Sequence, residues 1–247
     1  MIVSLIAAWS LVGPIVGANA PQRPRFKAVA FDYFVLFQAD SVASKVEREF
    51  PGRGLEFTRA WRAKQFDYGF LRSITHRHED FFQITADALD YTAQSLHLRM
   101  DPEARSRLLT AYLSLTPWPD TVSAMRTLRS AGVKIVTIAN FSPMMLRSNA
   151  DRVGVRTLFD GLLSTEANGT LKPEAQAYAL GMKALHLRKS EIVFAAFGGW
   201  DVFGAKSFGY PTFWVNRANA PLERLGVKPD GQSADLSGLI EFVLGRR

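Results

Sequence analysis

The stretch FKAVAFDYFVLFQADS, residues 26–41, decides how the chain folds. Its first part, Ala28–Phe31, is a short continuous apolar run, which is typical of a strand buried on both faces of a sheet. Asp32 follows directly, and bulky apolar residues come after it. A buried carboxylate without partners costs several kcal/mol. Asp32 is therefore either an ordinary acid at a strand end or a functional group whose partners lie elsewhere in the chain.

The C-terminal half of the chain alternates helical patterns with apolar runs. After amphipathic helices come the runs KIVTIA (134–139), GLLS (161–164), EIVFAAFG (191–198) and PTFWVNR (211–217), the last of which we expect to be the final strand. Helices that alternate with buried strands favour right-handed βαβ units. The sequence therefore predicts an α/β fold, with a Rossmann-like parallel-sheet core that carries helices on both faces.

A long helical region separates the first predicted strand from the second. Residues 55–115 repeat apolar side chains at three- and four-residue spacing, and Asp101 followed by Pro102 is typical of a helix start. We therefore predict an all-helical cap subdomain at residues 46–116. It is inserted into a core formed by residues 27–45 and 117–247.

Composition limits the classes of function. The 247 residues include no Cys, which excludes disulfides and thiolate catalysis. The net charge of +7 comes from scattered basic residues without a recognisable nucleic-acid module, so we expect no nucleic-acid partner. A basic balance can also attract small anionic substrates.

Residues 1–20, MIVSLIAAWSLVGPIVGANA, carry no charge. The apolar run is short and contains Pro14, so we expect no stable membrane span. It has the apolar and small residues of a secretory signal peptide, which predicts export to the periplasm. No Lys or Arg precedes Arg23, so a disordered tail on a cytoplasmic protein is the alternative.

Polar residues follow the predicted strands at the edge where open parallel sheets bind ligands. Asp32 follows the first strand, and Asn140 and Ser142 follow the second. Lys172 lies in the loop TLKPE, and Asp201 follows EIVFAAFG. We expect these side chains to meet at one edge of the sheet.

This order of polar residues resembles the haloacid dehalogenase superfamily, and most closely its type II branch, the L-2-haloacid dehalogenases. The resemblance runs from about Lys27 onward through FPGRG, WRAKQFDYGFLRS, DALDYTA, NFSP, LKPE and WDVFGAKSFGYPTFWVNR. It implies an (S)-2-haloacid dehalogenase acting on short 2-haloalkanoic acids. A carboxylate displaces the halide with inversion, and water hydrolyses the resulting ester without a metal or other cofactor. Family members are commonly dimers, so a homodimer is expected.

The resemblance also assigns roles to individual residues. The catalytic residues it implies are Asp32 as nucleophile, Lys172 and Asp201. The halide site it implies consists of Arg62, Asn140 and Trp200, because a cation, an amide N–H and a ring edge suit a growing anion. The substrate contacts it implies are Tyr33, Gln65 and Tyr178. Each residue also has an ordinary explanation: a helix cap for the acids, a solvated surface for the cations, and core packing for the aromatic rings.

The chain departs from the family beside the nucleophile. Where relatives read roughly FDxYGTLFD, this chain reads FDYFVLFQ, one residue shorter and with Phe34-Val35 in place of a Gly-Thr pair. Ala139, Ala196 and Gly198 replace polar family residues. These losses motivate an alternative, a weak or inactive relative that binds a small anion. A phosphatase is less favoured, because Phe34 stands where such enzymes need a second acid.

Overall fold

The computed structural model describes residues 24–245, and a six-stranded sheet forms its centre. The strands are β1 (Ala28–Phe31), β2 (Lys134–Ala139), β3 (Gly161–Ser164), β4 (Ile192–Ala196), β5 (Thr212–Val215) and β6 (Gly231–Ser233). Their order is β3-β2-β1-β4-β5-β6, and every neighbouring pair is parallel. The predicted parallel α/β fold is confirmed.

Helices cover both faces of this sheet and form the insertion after β1. They are α1 (Tyr33–Leu36), α2 (Ala43–Glu49), α3 (Gly54–Ile74), α4 (Phe81–Ser95), α5 (Pro102–Ala111), α6 (Thr121–Ser130), α7 (Pro143–Val153), α8 (Ala175–Leu185), α9 (Gly199–Phe208) and α10 (Leu236–Leu244). The insertion contains α2 to α5 and lies between β1 and β2. Helix α5 begins at Pro102, and Asp101 caps it by accepting the N–H of Ala104 at 2.6 Å.

Alternate residues of β1 enter two separate apolar clusters, one on each face of the sheet. Val29 and Phe31 belong to a cluster that continues into the helical insertion, whereas Ala28 and Ala30 belong to the cluster on the opposite face. All four residues are buried because both faces are covered. This burial explains why the strand reads as an unbroken apolar run.

The chain enters and leaves the insertion at one place. Phe37 and Pro117 form an isolated antiparallel bridge there, and the N–H of Trp118 donates to the carbonyl of Leu36 at 3.0 Å. The C-terminal boundary predicted at residue 116 coincides with this bridge. The N-terminal boundary predicted at residue 46 falls inside α2, so the helical insertion starts earlier than the sequence indicated.

The strand at PTFWVNR, β5, is not the last strand of the sheet, as the sequence had indicated. Strand β6 pairs with β5 and forms the edge of the sheet, and α10 follows it. Strand β6 consists of Gly231, Gln232 and Ser233, which are partly or fully exposed. A three-residue polar strand carries no apolar alternation, so periodicity could not reveal it.

The predicted signal peptide, residues 1–20, lies outside the described residues. Among the helices that the structure describes, none is long and apolar enough to cross a membrane.

Candidate active site

The carboxyl ends of the central strands bring the predicted polar residues together. Asp32 directly follows β1, Asn140 directly follows β2, and Asp201 lies in the first turn of α9 after β4. Lys172 reaches the same place from the loop before α8. The sheet order reverses between β1 and β4, which is where open α/β sheets form a ligand-binding crevice.

Helix α1 and a lysine fix the two oxygens of Asp32. Asp32 is the N-cap of α1, and its Oδ1 accepts the N–H of Phe34 at 2.8 Å. Its Oδ2 lies 2.6 Å from Lys172 Nζ. The cap role is compatible with the catalytic role predicted for Asp32, because the capping bond orients the carboxylate and leaves its other oxygen facing the lysine.

Lys172 joins two carboxylates. Its Nζ lies 2.6 Å from Asp32 Oδ2 and 2.6 Å from Asp201 Oδ2, and its side chain is 1% exposed. Burial by itself lowers the pKa of Lys172, but the negative charges of Asp201 and Asp32 outweigh burial and raise it. The lysine therefore carries its charge at neutral pH and compensates the two acids.

Asp201 is completely buried and is held by a tyrosine as well as by the lysine. Burial raises the pKa of Asp201 to about 6, and the charge of Asp32 adds to this effect while Lys172 opposes it. The hydroxyl of Tyr178 donates to Asp201 Oδ1 at 2.6 Å. Burial, followed by the charge of Asp201, raises the pKa of Tyr178 well above its usual value. The structure thus places the Tyr178 hydroxyl on Asp201.

Asn140 positions the loop that carries Lys172. Its Oδ1 accepts the backbone N–H of Lys172 at 2.8 Å and the hydroxyl of Thr165 at 3.2 Å. Its Nδ2 donates to the carbonyl of Lys172 at 3.3 Å. An amide nitrogen has two N–H groups, so a second donor remains for an anion.

A cavity lies against this group of side chains. The predicted residues in its wall are Asp32, Tyr33, Gln65, Asn140, Lys172 and Trp200. The wall is otherwise mainly apolar and includes Phe34, Phe66, Phe70, Phe81, Phe141 and Leu171. The volume open to the centre of a water molecule is about 50 Å³. A charged group of this kind in a small apolar cavity is a strong electrostatic environment for a reacting molecule.

Arg62 is not brought into this wall, although the sequence placed it in the halide site. Its Nη1 lies 3.3 Å from Asp40 Oδ1, and its guanidinium lies 4.8 Å from the centre of the Phe34 ring. Phe34 lines the cavity at this point, next to the shortened loop after Asp32. Arg62 therefore stands outside the cavity, stacked on a residue that lines it.

Trp200 lies where a ring edge could meet an anion. It lines the cavity, packs edge-on against Phe66 with ring centres 4.9 Å apart, and its ring centre is 5.5 Å from Lys172 Nζ. The structure thus places Trp200 in the cavity wall, and its role in a halide site stays a prediction.

Tyr33 and Gln65 also line the cavity, but their polar groups are bonded elsewhere. The hydroxyl of Tyr33 donates to the carbonyl of Leu146 at 3.1 Å. The amide of Gln65 donates to Thr85 at 2.9 Å and accepts the hydroxyl of Tyr112 at 3.1 Å. Any substrate contact by these two residues therefore involves the Tyr33 ring or the part of Gln65 left free by these bonds.

The aromatic lining of the cavity was not predicted from the sequence. A signal was present, because Gln65, Phe66, Gly69 and Phe70 recur at helical spacing in WRAKQFDYGF and fall on one face of α3. Phe81 begins α4, and its proximity to Phe141 depends on how the insertion packs on the core. Between residues 24 and 245, no group of three or more His, Cys, Asp or Glu side chains could hold a metal ion.

The six-stranded parallel sheet, the helical insertion after its first strand, and the lysine that joins two buried acids define a capped, Rossmann-like α/β protein with a charged site at the carboxyl ends of its strands. The family model that matches residues 21–209 is the haloacid dehalogenase-like hydrolase. The chain belongs to this family, which confirms the resemblance inferred from its motifs.

Three relatives illustrate the similarity. An (S)-2-haloacid dehalogenase of Pseudomonas sp. (strain YL) is 38% identical over 87% of this chain and 94% of its own length. Haloacetate dehalogenase H-2 of Moraxella sp. (strain B) is 35% identical over 89% of this chain and 98% of its own. The L-2-haloacid dehalogenase from Xanthobacter autotrophicus with chloropropionic acid covalently bound has a TM-score of 0.83 and 33% identity, over 90% of this chain and 100% of that one.

Proposed function

We propose that the protein is an (S)-2-haloacid dehalogenase that hydrolyses the carbon–halogen bond of short 2-haloalkanoic acids. The observation that carries this proposal is Lys172 Nζ, placed 2.6 Å from both Asp32 and Asp201 at a small apolar cavity. The relatives that share this fold over most of their length are named for the same reaction.

The geometry supports a two-step reaction. One oxygen of Asp32 attacks the carbon that bears the halogen, the carbon–halogen bond breaks with inversion, and an aspartyl ester forms. The free N–H of Asn140 and the edge of Trp200 face the leaving halide. Water then attacks the ester carbonyl carbon, and the bond from that carbon to the substrate oxygen breaks. One proton of the water passes to the hydroxyl of the released hydroxyacid and the other to solvent, while Lys172 compensates the charge of Asp201 and of the regenerated Asp32.

Arg62 joins the halide site only if its guanidinium leaves Asp40. The pair is partly solvent-exposed, with side-chain exposures of 23% and 57%, so breaking it costs little. We therefore include movement of Arg62 in the proposal. Asp40→Ala, which frees Arg62, is expected to keep activity, whereas Arg62→Ala is expected to lower it.

The proposal is tested by halide release from L- and D-2-chloropropionate, with and without a chelator. We expect release from the L-isomer alone, unaffected by the chelator and abolished by Asp32→Asn. Asp67→Asn, which changes an exposed acid in the cap, is the matched control and is expected to keep full activity. Turnover in heavy-oxygen water should label Asp32. Absence of halide release from all 2-haloacids would refute the proposal.

A second candidate, binding of a small anion without turnover, is favoured by one observation. Ala139 and Phe141 flank Asn140 in the cavity wall and offer no side-chain hydrogen bond to a carboxylate. This candidate predicts saturable binding of 2-chloropropionate by calorimetry with no product. Burst release of one halide per active site would instead indicate that only the hydrolytic step is impaired.

We also propose export and dimerisation, which rest on the sequence alone. The uncharged apolar residues 1–20 support cleavage of a signal peptide, and family membership supports a homodimer. N-terminal sequencing of the protein recovered from a periplasmic fraction tests the first proposal. Light scattering of the purified protein tests the second.

A further inference from the structure

The cavity beside Asp32 is small in relation to the molecules the proposed function requires. Its volume open to the centre of a water molecule is about 50 Å³. Because aromatic rings line much of the wall, we expect small 2-haloacids to be accommodated with the least displacement of the wall. A longer alkyl group on the reacting carbon requires the wall to move.

Phe34 is the part of the wall most directly tied to the nucleophile. It lies two residues after Asp32, and its N–H is bonded to Asp32 Oδ1. Its ring contacts Phe141 edge-on at 5.2 Å and Phe197 at 5.9 Å, and the Arg62 guanidinium lies 4.8 Å from its centre. The ring is therefore surrounded by neighbours, and turning it aside to admit a larger substrate disrupts these contacts.

The opposite side of the cavity is equally tight. Gly69 lines it from α3, and a Cβ added there would lie 3.1 Å from Leu171 Cδ1. That distance is shorter than ordinary van der Waals contact, so the wall has no spare room at this point. The cavity is bounded by Phe34 on the core side and by Gly69 on the cap side.

We propose that Phe34 determines substrate size, so that the protein prefers haloacetates to 2-haloalkanoates with an ethyl or longer group on the reacting carbon. This inference rests on the proposed dehalogenase function. One methylene too many in a closed apolar pocket changes kcat/KM by about 10- to 200-fold. Phe34, the bulky residue in the shortened segment after Asp32, is thereby a determinant of substrate specificity.

The test compares kcat/KM for chloroacetate and for L-2-chlorobutanoate. We expect the wild-type ratio to favour chloroacetate by about 10-fold or more, and Phe34→Ala to lower the ratio by a similar factor. Gly69→Ala is expected to raise it. Phe34→Ala can also change how Arg62 interacts with the halide. Both substrates release chloride, so this effect cancels in the ratio of their kcat/KM values.

Phe82→Ala is the matched control, because Phe82 is partly buried on α4 and lies outside the cavity wall. It should leave the ratio unchanged. Similar wild-type kcat/KM values for both substrates, or an unchanged ratio in Phe34→Ala, would overturn the inference. If Phe34→Ala fails to fold, as judged by circular dichroism, Phe34→Leu takes its place, and an unchanged ratio in that variant overturns the inference. Absence of halide release from both substrates refutes the proposed function instead.

Discussion

Lys172, Asp32 and Asp201 depend on one another at the level of single residues. The lysine is buried between two acids that lie within 2.6 Å of its Nζ, and Asp201 is completely buried. Replacing one member of a buried ionic group by a neutral residue lowers the free energy of unfolding more than the same change in an exposed pair. The reason is that the remaining buried charges stay uncompensated. These residues are therefore also important for the stability of the fold. Their effect on stability can be separated from their effect on activity, because the effect on stability depends on pH.

Lys172→Met is expected to abolish activity and to destabilise the protein by about 3–5 kcal/mol at pH 8. Without the cation, the two facing carboxylates bind protons more readily in the folded chain than in the unfolded chain. The stability of the variant then falls as the pH rises, so its deficit should be smaller at pH 5. Urea unfolding at both pH values measures this. An equal deficit at pH 5 and pH 8 would contradict it, and Lys183→Met, which replaces an exposed lysine of α8, serves as the control.

Gly204→Ala tests the placement of Tyr178. A Cβ at Gly204 would overlap the Tyr178 hydroxyl oxygen and lie 2.7 Å from Pro173 Cβ, next to Lys172. We expect destabilisation by about 1–3 kcal/mol, together with a lower kcat. Tyr178→Phe removes the hydroxyl, so Gly204→Ala should lower the free energy of unfolding by less in the Tyr178→Phe background than in the wild type. Strict additivity in urea unfolding of the four proteins would argue against this contact.

At the level of elements, two acids connect the cap to the segment that carries Lys172. Glu166 accepts the N–H of Phe81 at the start of α4 at 2.7 Å. Glu174, two residues after Lys172, accepts the hydroxyl of Ser73 near the end of α3. These two hydrogen bonds tie the end of the cap helix α3 and the start of the cap helix α4 to the segment that carries Lys172.

Glu166→Gln tests the first of these connections. Burial raises the pKa of Glu166 to about 7 from its usual value of 4.5, with Asp80 adding to the shift and the Phe81 N–H opposing it. The folded chain thus binds more protons than the unfolded chain between about pH 4.5 and 7, so stability falls as the pH rises through that range. Glutamine keeps the acceptor without titrating.

We therefore expect Glu166→Gln to be more stable than the wild type at pH 8 and no more stable at pH 5, as measured by urea unfolding. The other charged groups in the cavity beside Glu166 are Arg72, His78, Glu79 and Asp80. Glu79→Gln is the control, because Glu79 is exposed and should not reproduce the effect. The same gain for Glu166→Gln at both pH values would refute the assignment.

The sequence predicted elements well where apolar residues recur strongly, as in β2 and α6, and where a cap is chemically explicit, as at Asp101. It failed for β6, whose three residues at the sheet edge are polar, and for α1, a single turn whose existence depends on the cap at Asp32. Such elements are stabilised by tertiary partners more than by their own composition.

At the scale of the whole molecule, the order of the site residues along the chain could be predicted from the sequence. The directions in which their side chains point could not. Asp32, Asn140, Lys172 and Asp201 follow strand or loop positions that the topology must bring to one edge. The direction of Arg62 depends on Asp40 and Phe34, which no spacing rule connects to it. The meeting of these polar side chains at one edge could thus be anticipated, whereas the shape of the cavity could not.

The cap and the core also share one apolar cluster, so we expect them to unfold together. Trp61 in α3 and the strand residue Phe213 belong to this cluster, and Phe141 contacts Tyr112 of the cap with ring centres 6.4 Å apart. Fluorescence and far-UV circular dichroism should therefore give coincident urea transitions, and Trp61→Phe should not separate them. Phe141→Ala removes this contact and should lower stability by about 3–5 kcal/mol. Two separate transitions in the wild type would show that the cap is an independent folding unit.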